Sequence, residues 1–132
     1  MSLLLERTES IVSTTSSFDF NNTADHTLYT VPTGKSFIPT MIVIRNLSAS
    51  MASAVFSAGK SSAKTDFVAT ITCSGANATT KVLCIRPDYN ATPAAGSGLM
   101  TTMAAGETFV IGMLTAAGGA CTGTVDLFGY LY

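Results

Sequence analysis

Charge is what this sequence has least of. Only 11% of its 132 residues are Asp, Glu, Lys or Arg, against roughly 25% in an ordinary soluble domain. Apolar residues make up 47%, and the mean hydropathy is +0.40. A lone soluble particle depends on a charged, patch-free surface to stay apart from its neighbours. The composition therefore predicts that other subunits cover much of this surface. The length suits one domain able to bury a core. All seven basic residues lie in the first 86 positions, where five acids leave +2; from Pro87 onward only Asp88, Glu107 and Asp126 are charged, for −3. A concentrated basic stripe with interleaved aromatics is missing, which argues against nucleic acid as a partner. The nearly uncharged last third is where subunit contacts are expected, because interface cores are depleted in charge.

A long apolar run is also missing. The stretch Thr108 to Val125 is uncharged but holds four glycines and four threonines, and a spanning helix needs about 20 predominantly apolar residues. "MSLLLERTES" has three leucines before Glu6 and no preceding positive charge, too little for a signal peptide. No membrane partner is expected, and synthesis in the cytoplasm is. Cys73, Cys84 and Cys121 form no C-x-x-C pair, so they read as small buried hydrophobes in a reducing compartment rather than a disulfide framework or zinc site. Asn-x-Ser/Thr triplets at Asn21, Asn46, Asn77 and Asn90 read as accidents of a Ser/Thr-rich composition.

The residues of common catalytic constellations are equally sparse. His26 is the only histidine, beside Asp25 in a polar loop, and a triad needs spatial partners that sequence adjacency does not supply. "SAGKSS" lacks the upstream glycine of a phosphate loop, and "GSG" at Gly96–Gly98 has no helix to follow. The carboxylates are scattered, without calcium-loop spacing. Asp88 with Asn90 in "RPDYN" comes nearest to a metal or sugar contact but reads as a Pro-Asp turn. The chain is expected to be no enzyme, with no catalytic, cofactor-binding or metal-ligating residues.

What the sequence does have is a recurring run of five to ten residues rich in Val, Ile, Thr, Phe and Tyr, closed by Gly, Pro, Asn or Ser. These are strand and turn signals. Strands are predicted near Ile11–Phe20, Thr27–Val31, Ser36–Asn46, Ala52–Ser57, Thr65–Thr72, Thr79–Ile85, Leu99–Met103, Thr108–Leu114 and Thr122–Leu131. The fold class is all-β: eight or nine short strands without helices read as an antiparallel β-sandwich or barrel, residues 11–132, preceded by an N-terminal arm, residues 1–10. "SFIPTMIVIRN" is apolar on both faces, as for a strand between layers or at a subunit contact. Pro39 within it cannot donate a ladder hydrogen bond and belongs on an edge or at a bulge. "SAGKSSAK" and "CSGANATT" read as exposed hairpin loops, and "RPDYNATPAAGSG" as the longest loop. Alternation at the C-terminus places Cys121, Val125, Leu127 and Leu131 on one side, and Thr122, Thr124, Asp126, Phe128, Tyr130 and Tyr132 on the other. Phe128, Tyr130 and Tyr132 are candidate assembly contacts, together with Leu3, Leu4 and Leu5 of the arm, which would dock on a neighbour.

Two segments 72 residues apart resemble each other. "TVPTGKSFIPTMIV" from Thr30 and "TMAAGETFVIGMLT" from Thr102 share Thr30/Thr102, Gly34/Gly106, Phe37/Phe109 and Met41/Met113. In the first, Pro32 suits the first corner of a type I turn and Gly34 its left-handed close. Both read as equivalent turn-strand units in two halves of one sandwich.

The pattern "LYTVPTGKSFIPTMIVIRNLS", then "AAGETFVIGM" and a closing "GTVDLFGYLY", covering Leu28 to Tyr132, resembles small all-β structural proteins of tailed bacteriophages. These include head decoration or cement proteins and tail or fibre accessory domains. The resemblance implies a jelly-roll-like β-sandwich and a non-enzymatic virion protein, often a trimer, made in the bacterial host cytoplasm. A decoration protein would stabilise the shell by binding across capsomers of the major capsid protein. The alternative it implies is a tail or fibre module for host-receptor or carbohydrate binding, in which Tyr89, Tyr130 and Tyr132 would serve.

Overall fold

A computed structural model describes residues 8–87 and 102–132. Among the described residues there are eight strands and no helix: β1 (Ser10–Asp19), β2 (Asp25–Thr30), β3 (Phe37–Arg45), β4 (Val55–Lys60), β5 (Ala63–Thr72), β6 (Leu83–Ile85), β7 (Thr108–Thr115) and β8 (Thr122–Leu131). They form two four-stranded sheets, β1-β8-β3-β6 and β2-β7-β4-β5. Every pairing is antiparallel. Pairs 1–8, 2–7, 3–6 and 4–5 are nested, as when one long ribbon is folded at its middle and rolled into two layers. Phe20, Phe37, Phe56, Phe67, Phe109, Ile42, Ile111 and Leu127 fill the space between the sheets. Phe67 meets Phe109 edge-on with centroids 5.4 Å apart, a favoured aromatic geometry.

The strand boundaries depart from the sequence reading in three places. Ser57, Ala58 and Gly59, read as part of a loop, are buried in β4. Their small side chains let β5 approach so closely that a Cβ on Gly59 would lie 2.6 Å from the Ala63 carbonyl oxygen. The strand expected over Thr79–Ile85 shrinks to Leu83–Ile85, because a turn closed by Lys81 N–H on the Ala78 carbonyl takes up its first half. In "CSGANATT" Cys73 and Ala76 are buried, not exposed, and Ala76 accepts from the Met51 N–H. The ninth strand, over Leu99–Met103, falls largely outside the described residues; Met103 itself forms a single bridge to Phe37. The Asp88 and Asn90 turn and Tyr89 also lie outside them.

The repeated segments occupy corresponding places. β3 lies in one sheet and β7 in the other, and each is entered through a turn with glycine at positive φ, +76° at Gly34 and +84° at Gly106. Lys35 N–H donates to the Pro32 carbonyl and Glu107 N–H to the Ala104 carbonyl, both at 3.1 Å. Pro32 is thus the residue before the corners rather than the first corner, and the left-handed glycine at the second corner is a type II requirement. The units also bond to each other: Gly106 N–H to the Val31 carbonyl, Val31 N–H to the Glu107 carbonyl, and Met103 with Phe37 in both directions. Each unit crosses between the sheets beside the other.

Candidate docking face

The inner side of β1-β8-β3-β6 supplies Phe37, Ile42, Ile44, Val125 and Leu127 to the core. Register then fixes what lies on its outer side, since strand neighbours alternate faces. Ile11, Phe128 and Met41 stand opposite one another across three strands, and Tyr130 stands opposite Ile38. The next row is Thr14, Asp126, Val43 and Cys84, and Arg45 follows opposite Thr124. Ile11 is 53% exposed and Tyr132, just past β8, 42%. Ile38, Met41, Val43, Phe128 and Tyr130 are half-buried, each shielded by its neighbours on the sheet. An apolar strip thus crosses the outside of a sheet whose other side already fills the core.

Pro39 explains how β3 can present apolar side chains on both faces. The pairing with β8 shifts between Pro39 and Met41, an irregularity that lets a residue lacking an N–H enter the ladder, as expected of Pro39. Beyond the shift, parity changes: Phe37 and Pro39 face in, then Ile42 and Ile44. The extra residue, Thr40, donates its hydroxyl to the Glu9 carboxylate.

The strip ends at a buried charge. Asp126, on the same side of β8 as Phe128 and Tyr130, is only 4% exposed. Its carboxylate accepts from Arg45 Nε at 2.8 Å and from the Thr14 hydroxyl at 2.8 Å. The Arg45 hydrogen bond, with help from Thr14 and against the cost of burial, holds the Asp126 carboxyl below its ordinary range.

The other sheet is different outside. Lys64 pairs with Asp25, its stem passing over Gly112. Lys60 lies 3.7 Å from Glu107 and 4.0 Å from Asp66. Three of the four ion pairs among the described residues therefore sit on or beside β2-β7-β4-β5. Most of the ion pairs thus lie on one side of the molecule and the apolar strip on the other.

Of the residues singled out in the sequence, Phe128 and Tyr130 lie within the strip and Tyr132 at its margin, its backbone bonded to Ser36 in both directions. Leu3, Leu4 and Leu5 lie outside the described residues. Ile11, Ile38, Met41 and Val43 complete the strip; the two-faced apolarity of "SFIPTMIVIRN" signalled three of them, but only register joins them to Phe128. Asp25 and His26 do not form a pair: Asp25 binds Lys64, and His26 stacks on Phe18 at 4.4 Å with Nε2–H donating to the Asn22 carbonyl. Cys84 is exposed, contrary to the reading of all three cysteines as buried, because it lies on the outer side of an edge strand. Burial pushes the Cys73 thiol up to about 12 and raises that of Cys121.

No family model matches the chain, and no curated protein matches it in sequence. Among solved structures it is similar to a chain of the acidic stable capsid structure of Helicobacter pylori bacteriophage KHP30. The TM-score is 0.54 at 14% identity, covering 94% of this chain and 92% of that one. The likeness is one of fold, and it extends over nearly the whole length of both chains.

Proposed function

We propose that this chain is a structural protein of a bacteriophage virion, a decoration or cement protein that binds across capsomers of the shell. It would dock through the outer face of β1-β8-β3-β6. The observation that carries this reading is the strip Ile11–Phe128–Met41 with Ile38, Tyr130 and Val43, apolar surface left over after the core is filled. Its fold likeness to a phage capsid chain supports the setting, and the nested strand pairing supports the jelly-roll description. With the charged pairs on the opposite sheet, one side suits protein and the other water.

Size favours several copies acting together. Four strands spaced about 4.8 Å apart and roughly 24 Å long offer a face of roughly 450 Å². A stable interface takes about 800 Å² from each partner. One copy alone would hold weakly, whereas a homotrimer with three such faces would gain from a high effective concentration once the first is seated. The partner is then the major capsid protein, and the work done is binding.

Co-sedimentation with purified shells that lack this chain tests the proposal. The wild-type protein should pellet with shells, and Met41→Glu/Phe128→Glu should lose at least tenfold in apparent affinity while keeping its β circular dichroism. Absence of wild-type binding would overturn it. Binding to host-surface glycans, lost on Tyr130→Ala, would point instead to a tail or fibre module.

A further inference from the structure

We propose that the groove between β5 and β6 receives the N-terminal Leu3–Leu5 segment of a second copy of this chain. Among the described residues β5 and β6 are the edge strands of their two sheets, on the same side of the sandwich. On the opposite side β1 and β2 are tied together by the Ser13 hydroxyl donating to the Leu28 carbonyl. Between β5 and β6 the layers instead leave a groove of about 460 Å³. Val68, Ile71, Cys73, Ala76, Leu83 and Ile85 are among its lining residues, four of them buried in the core cluster. Unpaired strand edges above an apolar floor make a seat for an extended apolar segment, with backbone bonds for affinity and pockets for alternate side chains.

Reach decides whose segment it is. Leu3 stands five residues before Thr8, and fully extended that stretch spans roughly 17 Å. The described chain starts next to β1, at the far edge of the sheet from β6. Crossing its own sheet would use roughly 14 Å, three strand spacings, and leave about one residue's length for a groove flanked by four residues of β5. When copies stand side by side, the β1 edge of one faces the β5–β6 edge of the next, and the whole segment can lie along the groove. The contact is head-to-tail and closes into a ring when the rotation permits. Charge agrees: Lys81 is the one charged residue lining the groove and has no acidic partner among the described residues, and Glu6 follows the leucines directly.

Cys84, exposed on the edge strand β6 at the rim of the groove, supplies the test. Leu4→Cys protein, oxidised mildly with diamide, should form disulfide-linked oligomers on a non-reducing gel, and Leu4→Cys/Cys84→Ser should not. In parallel, Leu3→Ser/Leu4→Ser/Leu5→Ser should bring the light-scattering mass of the oligomer down to the 13.6 kDa of one chain with unchanged circular dichroism. Absence of a Cys84-dependent cross-link, or a disulfide closing within a single chain, would overturn the proposal; so would an oligomer that survives loss of all three leucines. Both readouts are taken without shells, so failure of shell binding would leave this inference standing.

Discussion

At Asp126 the alternation of β8 and the chemistry of a carboxylate pull in different directions. Alternation turns the side chain outward into an apolar strip, and Arg45 and Thr14 on the flanking strands supply the hydrogen bonds that keep its charge. Because the folded-state pKa is lowered, the ion pair adds stability above the unfolded carboxyl value of about 3.9. That contribution fades as pH falls through the lower folded-state value. Asp126→Asn should therefore cost on the order of 1 kcal/mol at pH 7 through its weakened charged hydrogen bonds. The gap between urea melts of the two proteins should narrow as pH falls below the ordinary carboxyl range; a gap that does not change with pH would contradict this. The cysteines give a second residue-scale prediction. Cys84 should react with iodoacetamide before Cys73 or Cys121, since thiolate is the reactive form and burial suppresses it at the other two. Peptide mapping of briefly labelled native protein reads the order. Composition conveyed that cysteines here are hydrophobes, but which one lands on an edge strand is a matter of pairing and is not written near Cys84.

Among the elements, the strands were legible and their partners were not. Runs of β-branched and aromatic residues ended by Gly, Asn and Pro place β1, β3, β7 and β8 within a residue or two. The β4–β5 hairpin was misplaced because "SAGKSS" has loop composition; only the close approach at Gly59 shows why small residues stand inside a strand. The Thr30 and Thr102 segments were recognisable as a pair, yet their bonding to each other required the fold. Glycine positions separate two physical demands here. A Cβ at Gly129 would sit 2.3 Å from both the Ile38 carbonyl oxygen and the Phe37 ring, so Gly129→Ala should cost about 3 kcal/mol by overpacking. Gly34 has open space around it and only its φ of +76° to lose, so Gly34→Ala should cost about 1 kcal/mol. Thermal unfolding of the two variants should keep that order, and equal losses would contradict it.

For the whole molecule, the deficit of charge finds its counterpart in a division of surfaces. Salt bridges gather on β2-β7-β4-β5, and the outside of β1-β8-β3-β6 carries an apolar strip whose only buried charge is fully paired. The sequence hinted at such a face through Phe128, Tyr130 and the two-sided β3, but strands far apart in the chain had to be brought side by side before Ile11, Phe128 and Met41 formed one row. The central claim is that this face, and not the charged one, meets the shell. Hydroxyl-radical footprinting of the chain free and bound to shells measures it most directly. Oxidation of Met41, Phe128 and Tyr130 should fall at least severalfold on binding, while Leu114, 58% exposed on the other sheet, should be unchanged. Protection of Leu114 with Met41 and Phe128 as reactive as before would contradict the account.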